Sequence, residues 1–244
     1  MGSVSSTVAR YRFVSSAVLD IDMGNTRTKW RFGNAAGHLP SPQLPKLDSK
    51  PGRVRVATVL RNRDAVAQTV GERFGLEAEF ASTSATLAGV RCGYRDPARL
   101  GVDRWLALVA AWHLTDGAVA VIGAGTAATV DFVHADGRHE GGHIAPGLGL
   151  MRNALNHTAD VRPEYAAEAV ATPGNDTEGA VSSGTLVMLL GFVEAAVGAF
   201  AERCPTPPDV VLTGGDAELL CAHLTVSARH EPHLVLDGLA IALP

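Results

Sequence analysis

The sequence has few cysteines and lacks the signatures of serine hydrolases and of Walker-type nucleotide-binding proteins. Its three cysteines in 244 residues form no C-x-x-C pair, so they predict neither a disulfide framework nor a zinc knuckle. Neither a G-x-S-x-G elbow nor a G-x-x-x-x-G-K-[ST] loop occurs. Serine hydrolysis and Walker-type nucleotide binding are therefore without support.

The sequence also lacks a strong charge of either sign and any long apolar run. A net charge of -4 does not predict a nucleic-acid-binding surface. The longest uncharged stretches, Ala118–Val130 and Val181–Val193, are shorter than the roughly 18 apolar residues of a membrane span. Residues 1–17 have no continuous apolar segment of the kind found in secretion signals, and we expect them to form a flexible extension. We therefore expect a cytoplasmic protein with no nucleic-acid or membrane partner.

The remaining chain shows alternating strand-like and helix-like periodicity, which predicts an α/β fold. Strands are predicted at 18–23, 27–32, 54–59, 118–122 and 129–133, and helices at 64–74, from Asp103 onward, and at 147–157 and 177–203. The Pro-rich stretch 37–52 predicts a loop, and Asp136-Gly137 predicts a hairpin turn.

Two segments about a hundred residues apart share one outline, an apolar strand, a turn of small residues and a second strand. The first is DMGNTRTKW, from Asp22 to Trp30, and the second is VIGAGTAATVDFV, from Val121 to Val133. In the first, Gly and Asn suit the positive φ that a tight hairpin turn needs. Each half thus begins with a hairpin, which predicts two α/β units, residues 18–116 and 117–244, with a cleft between them.

The second turn, Gly123–Ala128 (GAGTAA), also matches the dinucleotide fingerprint G-x-G-x-x-G/A. That fingerprint requires a helix after the turn, whereas TVDFV predicts another strand. The backbone amides of a small-residue turn can instead form a concave anion site, and a carboxylate beside it, such as Asp22, implies Mg²⁺. Either turn alone is more simply a plain hairpin. Together with Asp22, the two favour binding of nucleotide phosphates.

Five motifs in a fixed order carry a resemblance to a known family. DMGNTRTKW, GVDRW, GTAATVD, GGHIAPGLGLM and LTGGDA together resemble type III pantothenate kinases, within the superfamily of sugar kinases, actin and heat-shock chaperone ATPases. The similarity runs from about residue 18 to the C-terminus. It implies duplicated ribonuclease H-like (actin-like ATPase) domains with a central cleft, and a homodimer. The implied reaction is ATP-dependent phosphorylation of pantothenate to 4'-phosphopantothenate, the first step of coenzyme A biosynthesis.

The resemblance implies a role for each residue that matches a family motif. ATP is expected to bind Asp22, Met23, Gly24, Asn25, Thr26, Arg27, Thr28, Lys29 and Thr126, with Asp22 orienting Mg²⁺ through water. Pantothenate is expected to bind Tyr94, Gly101, Val102, Asp103, Arg104 and Thr177, with Asp103 as the catalytic base. Gly214-Gly215-Asp216 resembles the adenosine loop of the superfamily.

Simpler structural roles remain open for several of these residues. Asp103 could cap the helix that it opens, and a capping position would also fix the direction of its carboxylate. Lys29 could be a solvated strand residue, and Arg104 could pair with a surface carboxylate. Trp30 and Trp105 are predicted to be core residues.

One position departs from the family pattern. The family usually has Asp-x-Gly-Thr at the second hairpin, whereas this chain has Gly123-Ala124-Gly125-Thr126. The aspartate is associated in the family with a monovalent cation, K⁺ or NH₄⁺, and Gly123 has no side chain to bind one. The cation is therefore absent, held by backbone carbonyls, or replaced by another group. Two alternatives stay open, a non-catalytic ATP-binding regulator and a superfamily enzyme with another acceptor, such as a sugar kinase or an exopolyphosphatase.

Overall fold

The computed structural model describes residues 17–158 and 170–244, and for residues 156–158 it describes the backbone alone. The predicted N-terminal extension, except for Ala17, lies outside the described residues. The strands are β1 (Val18–Met23), β2 (Arg27–Phe32), β3 (Ala35–Pro40), β4 (Arg53–Thr58), β5 (Ala78–Phe80), β6 (Thr86–Leu87), β7 (Val90–Arg91), β8 (Val119–Ala124), β9 (Ala127–Val133), β10 (His139–Pro146), β11 (Asp209–Gly214) and β12 (Arg229–His230). The helices are α1 (Arg63–Phe74), α2 (Val102–His113), α3 (Leu148–Thr158), α4 (Thr177–Ala201), α5 (Ala217–His223) and α6 (Leu234–Ala242), with a short 3₁₀ helix at Pro97–Arg99.

Two five-stranded sheets have the same strand order. The first is β3-β2-β1-β4-β5 and the second is β10-β9-β8-β11-β12. In each sheet the first three strands are antiparallel neighbours, and the last two run parallel to the central strand. The repeated topology confirms the predicted duplicated α/β fold. The predicted boundary between residues 116 and 117 stays a prediction.

Helices α2 and α6 lie between the two sheets. Their apolar residues share one core cluster with Ala57 of the first sheet and with Val119 and Val121 of the second. The two helices are in close contact at Gly238, where a Cβ would lie only 2.1 Å from the carbonyl oxygen of Leu106. Helix α1 covers the outer face of the first sheet, and α4 and α5 cover the outer face of the second.

Two local features differ from the sequence predictions. Strand β3 occupies the beginning of the predicted loop 37–52 and pairs with β2. Its sequence AAGHLP lacks apolar alternation because it is an edge strand with little burial. The hairpin at Asp22–Arg27 forms as predicted, but neither Gly24 nor Asn25 has a positive φ. The Gly24 amide instead donates to the Arg27 carbonyl at 3.0 Å.

Helix α4 is, among the described residues, the one helix long and apolar enough to cross a membrane by length and composition. Leu186, Leu189, Val193 and Phe200 are buried against the second sheet. This packing identifies α4 as a core helix. Trp105 is fully buried as predicted, and Trp30 is partly buried against the first core.

Asp20 forms buried ion pairs with two arginines that the strand register places on either side of it. It lies opposite Arg31 of β2 and Arg55 of β4. The Arg55 Nε donates to Asp20 Oδ1 at 2.6 Å, and the Arg31 Nη2 donates to Asp20 Oδ2 at 3.1 Å. Arg31 also donates to Asp237 Oδ1 at 2.5 Å, and Arg55 to the Leu243 carbonyl at 2.8 Å. The cluster therefore fastens α6 to the first sheet.

Replacing the central carboxylate should destabilise the fold. We expect Asp20→Asn to lower the free energy of unfolding by roughly 3–5 kcal/mol, because it leaves the buried guanidinium of Arg55 without its counter-charge and Arg31 with Asp237 alone. Urea unfolding followed by circular dichroism measures the change, and Asp48→Asn, at an exposed position, serves as the matched control. Equal stability of the two variants would contradict the structural role of the cluster.

Candidate functional site

The two small-residue turns meet where the two sheets approach each other. Thr26 Oγ1 and Thr126 Oγ1 lie 2.8 Å apart, although the residues are separated by 100 positions. Each turn closes in the same way, since the amides of Gly24 and Gly125 donate to the first carbonyl of the following strand at 3.0 and 3.2 Å. The duplicated hairpins therefore form one site.

Asp22 lies beside this pair of turns and faces a lysine across the hairpin. It is the cross-strand partner of Lys29. Burial, together with the charge of Asp103, raises the pKa of Asp22 to about 7, and Lys29 opposes the shift. Burial likewise lowers the pKa of Lys29, with Asp22 opposing. Two carboxylates and one ammonium group therefore share a partly dehydrated space.

Asp103 is held at the beginning of α2 by a local feature of the backbone. Gly101 is the N-cap, so Asp103 is the second residue of the helix and does not take the capping position. Its Oδ1 accepts from the Arg104 amide at 2.8 Å, and a Cβ at Gly101 would lie 2.6 Å from that oxygen. Burial raises the pKa of Asp103, which the hydrogen bond from Arg104 opposes. A carboxylate of this kind is a stronger base near neutral pH than an exposed one.

Arg104 belongs to a buried network rather than to a surface ion pair. Its Nε and Nη2 donate to Asp131 at 2.8 and 2.5 Å, and its Nη1 donates to the Tyr94 hydroxyl at 3.0 Å. Asp131 is 2% exposed. The Gly93 amide donates to His139 Nδ1 at 3.2 Å, which assigns the proton to Nε2, 3.3 Å from Asp131 Oδ1. The network attaches the Tyr94 loop to the second sheet.

A cavity of about 340 Å³ lies next to the N-terminus of α2. Residues with hydroxyl or guanidinium groups line it on several sides, namely Thr58, Arg63, Ser82, Thr83 and Arg99, with Gly101 at the helix end. No carboxylate is among its lining residues. Its size falls within the range of about 300–1,000 Å³ that is usual for small-molecule sites, and its lining suits a polar anion.

The third glycine segment, Gly214-Gly215-Asp216, lies against the first turn. A Cβ at Gly215 would lie 3.2 Å from the Arg27 Nη1. Burial raises the pKa of Asp216, and the charges of Arg152 and Arg27 oppose this shift. Gly214 has a φ of +116°, a conformation that favours glycine. The segment predicted to bind adenosine therefore adjoins the predicted phosphate turns.

Most of the predicted site residues lie together, but three side chains do not reach the group. Met23 and Thr28 are partners in the β1–β2 ladder and are buried, Met23 in the first core, so only their backbones face the turn. Thr177 is exposed at the first position of α4, after the N-cap Asp176. Within the described ranges, no hydrogen bond joins Thr177 to Asp103 or to Tyr94.

The sequence analysis missed Asp131 and His139, which hold Arg104 and Tyr94, and Arg152, whose charge acts on Asp216. Asp131 stands within the quoted motif GTAATVD, where a charged residue between buried β-branched and aromatic neighbours is the signal of a paired buried group. His139 has no comparable signal, because its partners Gly93 and Asp131 come from different parts of the chain.

Comparison with known proteins places this geometry in a family. The sequence model of the type III pantothenate kinase family matches residues 37–199. A curated protein of Pseudomonas aeruginosa (strain LESB58), named type III pantothenate kinase, is 42% identical over 93% of this chain and 99% of its own length.

Solved structures agree on the fold. A Campylobacter jejuni protein, provisionally assigned to the Baf family of transcriptional activators, aligns with a TM-score of 0.61 at 18% identity, covering 90% of this chain and 94% of that one. A Sinorhizobium meliloti protein, provisionally assigned as a 2-dehydro-3-deoxygalactonokinase, aligns with a TM-score of 0.50 at 17% identity, covering 92% and 97%. At these identities the likeness supports the shared fold alone.

The raised pKa of Asp22 predicts that stability falls as the pH rises through neutrality, in the absence of Mg²⁺ and nucleotide. The folded group titrates at about 7 and its ordinary value is 3.8, so between these values the folded state binds more protons than the unfolded state. The stabilisation is therefore complete below the lower value and is lost as the pH rises through the higher one. The resulting decrease in the free energy of unfolding is at most roughly 4 kcal/mol.

Urea unfolding from about pH 4 to about pH 8 measures this loss. Asp22→Asn should remove much of the decline, whereas Asp209→Asn, at an exposed position, should retain it. An unchanged decline in Asp22→Asn would show that Asp22 is not the buried titrating group.

Proposed function

Because the chain belongs to the type III pantothenate kinase family, we propose that Asp22, Lys29 and Asp103 are the principal groups with which it phosphorylates pantothenate. The reaction transfers the γ-phosphoryl group of ATP to the primary hydroxyl of pantothenate and yields 4'-phosphopantothenate for coenzyme A biosynthesis. The contact of Thr26 with Thr126 carries the assignment, since it brings two phosphate-type turns together beside two carboxylates.

The donor set on the nucleotide side fits Mg²⁺ and phosphate. Asp22 is a partly buried carboxylate near a second carboxylate, and carboxylate oxygens are the ligands that Mg²⁺ prefers. Asp22 would hold the ion through water, and bound Mg²⁺ neutralises charge on the phosphates. Thr26, Thr126, Lys29 and the turn amides would hold the phosphate oxygens. Arg27 and the Gly215-Asp216 segment would contact the rest of the nucleotide.

The acceptor side is built around Asp103. Phosphoryl transfer passes through a loose transition state, so positioning and charge neutralisation account for most of the catalysis. The Asp103 carboxylate would accept the proton of the substrate hydroxyl. Gly101 and Val102 adjoin the 340 Å³ cavity, whose Arg63 and Arg99 suit the carboxylate of pantothenate. Tyr94 and Arg104 would form the adjacent wall.

A homodimer and a cytoplasmic location complete the proposal. Four large apolar side chains are exposed on neighbouring elements of the second half: Ile144 (63%), Leu150 (45%), Val187 (50%) and Met188 (66%). Contacts of α3 with β10 and α4 join these elements into one apolar face, and such a face marks an interface. Thr177, exposed at the first position of the same helix α4, would then contribute to an acceptor site completed at the dimer interface. The free cysteines Cys92, Cys204 and Cys221 suit a reducing cytoplasm.

Activity measurements test the reaction and the base together. Wild-type protein should form ADP when ATP, Mg²⁺ and pantothenate are supplied, and should not do so when glucose or polyphosphate replaces pantothenate. Asp103→Asn should lower kcat by about 10²–10⁴-fold, because a general base contributes that much. Asp116→Asn, exposed beyond the other end of α2, is the control.

Three outcomes would distinguish the proposed function from its alternatives. Normal kcat in Asp103→Asn would reject Asp103 as the base. Turnover with another acceptor would favour a different kinase of the superfamily. Nucleotide binding without turnover of any acceptor would favour a non-catalytic regulator.

The homodimer is tested by placing a charge on the apolar face. Met188→Asp should shift the protein from dimer to monomer, since an unpaired carboxylate would be buried in the interface. Light scattering after size-exclusion chromatography measures the mass, and Gln43→Asp, exposed on the other half, is the control. A monomeric wild type, or a Met188→Asp dimer of undiminished stability, would contradict the proposed face.

A further inference from the structure

Gly123 is the structural counterpart of Asp22. Each lies two residues before the glycine that begins its turn, on the central strand of its sheet. The antiparallel partner of Asp22 is Lys29, and that of Gly123 is Thr129. The duplication therefore places a carboxylate on one side of the site and a residue without a side chain on the other.

A neighbouring hydroxyl fills the space that a side chain at position 123 would need. A Cβ built on Gly123 would lie 2.6 Å from Thr129 Oγ1, well inside van der Waals contact. On the opposite side, Thr213 of β11 is the parallel partner of Gly123. Thr213 is 6% exposed, and its hydroxyl has no hydrogen-bond partner. The two residues that flank Gly123 in the sheet thus carry neutral hydroxyls.

This donor set does not fit the monovalent cation that the family resemblance implies. A cation taken out of water needs a counter-charge or a complete set of oxygen ligands. The nearby carboxylate of Asp131 already accepts from Arg104 and lies against His139. In the part of the chain that the structure describes, no three acidic, histidine or cysteine side chains form a metal-binding group.

We propose that this chain binds neither K⁺ nor NH₄⁺ at Gly123, and that its phosphoryl transfer needs no monovalent cation. The Thr129 hydroxyl occupies the place of the missing carboxylate, and the turn that carries Thr126 is held by its own hydrogen bonds from Gly125 and Gly147. The part concerning catalysis rests on the proposed kinase function. The claim that no monovalent cation binds at Gly123 is independent of that function.

The full-length wild type provides two independent readouts. ADP formation with pantothenate is measured at constant ionic strength in about 100 mM KCl, NH₄Cl, NaCl or tetramethylammonium chloride. We expect rates within about twofold of one another, and stimulation of about tenfold or more by K⁺ or NH₄⁺ would overturn the proposal. The thermal midpoint is measured in the same salts with and without MgATP, and a rise specific to K⁺ or NH₄⁺ would overturn it as well.

The two readouts keep this inference apart from the proposed function. Absence of turnover in every salt would refute the kinase assignment and, with it, the catalytic half of this inference. The thermal midpoints would still decide whether a cation binds, since binding to the folded state alone raises the midpoint.

A double variant tests whether the missing charge is the cause. Gly123→Asp together with Thr129→Ala supplies the carboxylate and removes the hydroxyl that would collide with it. This variant should gain a K⁺-specific rise in thermal midpoint, whereas Gly123→Asn with Thr129→Ala, equal in size but uncharged, should not. A response in both variants, or in neither, would contradict the charge argument. If the charged variant does not fold, the wild-type salt series decides.

Discussion

The alternation of side chains along β1 is the constraint on which the rest of the structure depends. Leu19, Ile21 and Met23 face the first core, so Asp20 and Asp22 must face the layer that contains α2 and α6. Asp20 is neutralised there by two arginines, which also fasten α6. Asp22, one step further along the same face, has only a partly buried lysine opposite and a second carboxylate nearby. One strand therefore provides both a structural ion cluster and an incompletely compensated charge.

The duplication gives the site its shape but not equal chemistry on its two sides. Both sheets present a small-residue turn at the same place, and the two turns touch through Thr26 and Thr126. The carboxylate beside the paired turns comes from the first half, because the counterpart of Asp22 is Gly123. A divalent cation would thus be held from the first sheet, while the second sheet supplies hydroxyls and backbone. The repeated topology determines where the two turns lie, and the residues at equivalent positions determine the chemistry of each turn.

Features encoded locally were predictable from the sequence, and features that depend on distant residues were not. The hairpins, the buried strands and the duplication follow from periodicity and from two similar turns, and the ordered motifs indicated the family. Edge strand β3 was missed because little of it is buried. The absence of positive φ at Gly24 was missed because residue type permits that conformation without requiring it. The pairing of Arg104 with Asp131 joins residues 27 positions apart on a helix and a strand, and no local pattern encodes it.

That pairing changes what Arg104 can contribute to substrate recognition. A guanidinium group has five N–H donors, and three of those of Arg104 are bound to Asp131 and to Tyr94. Burial acts to lower the pKa of Arg104, but its bonds to Asp131 hold the pKa above the ordinary value, so Arg104 stays protonated opposite a carboxyl group. Arg104 would therefore contribute to substrate binding through its position and its two remaining N–H donors, and not through a net positive charge. The positive charge that an anionic acceptor requires would come from Arg63 and Arg99, which line the adjacent cavity, and no carboxylate is among the residues that line it.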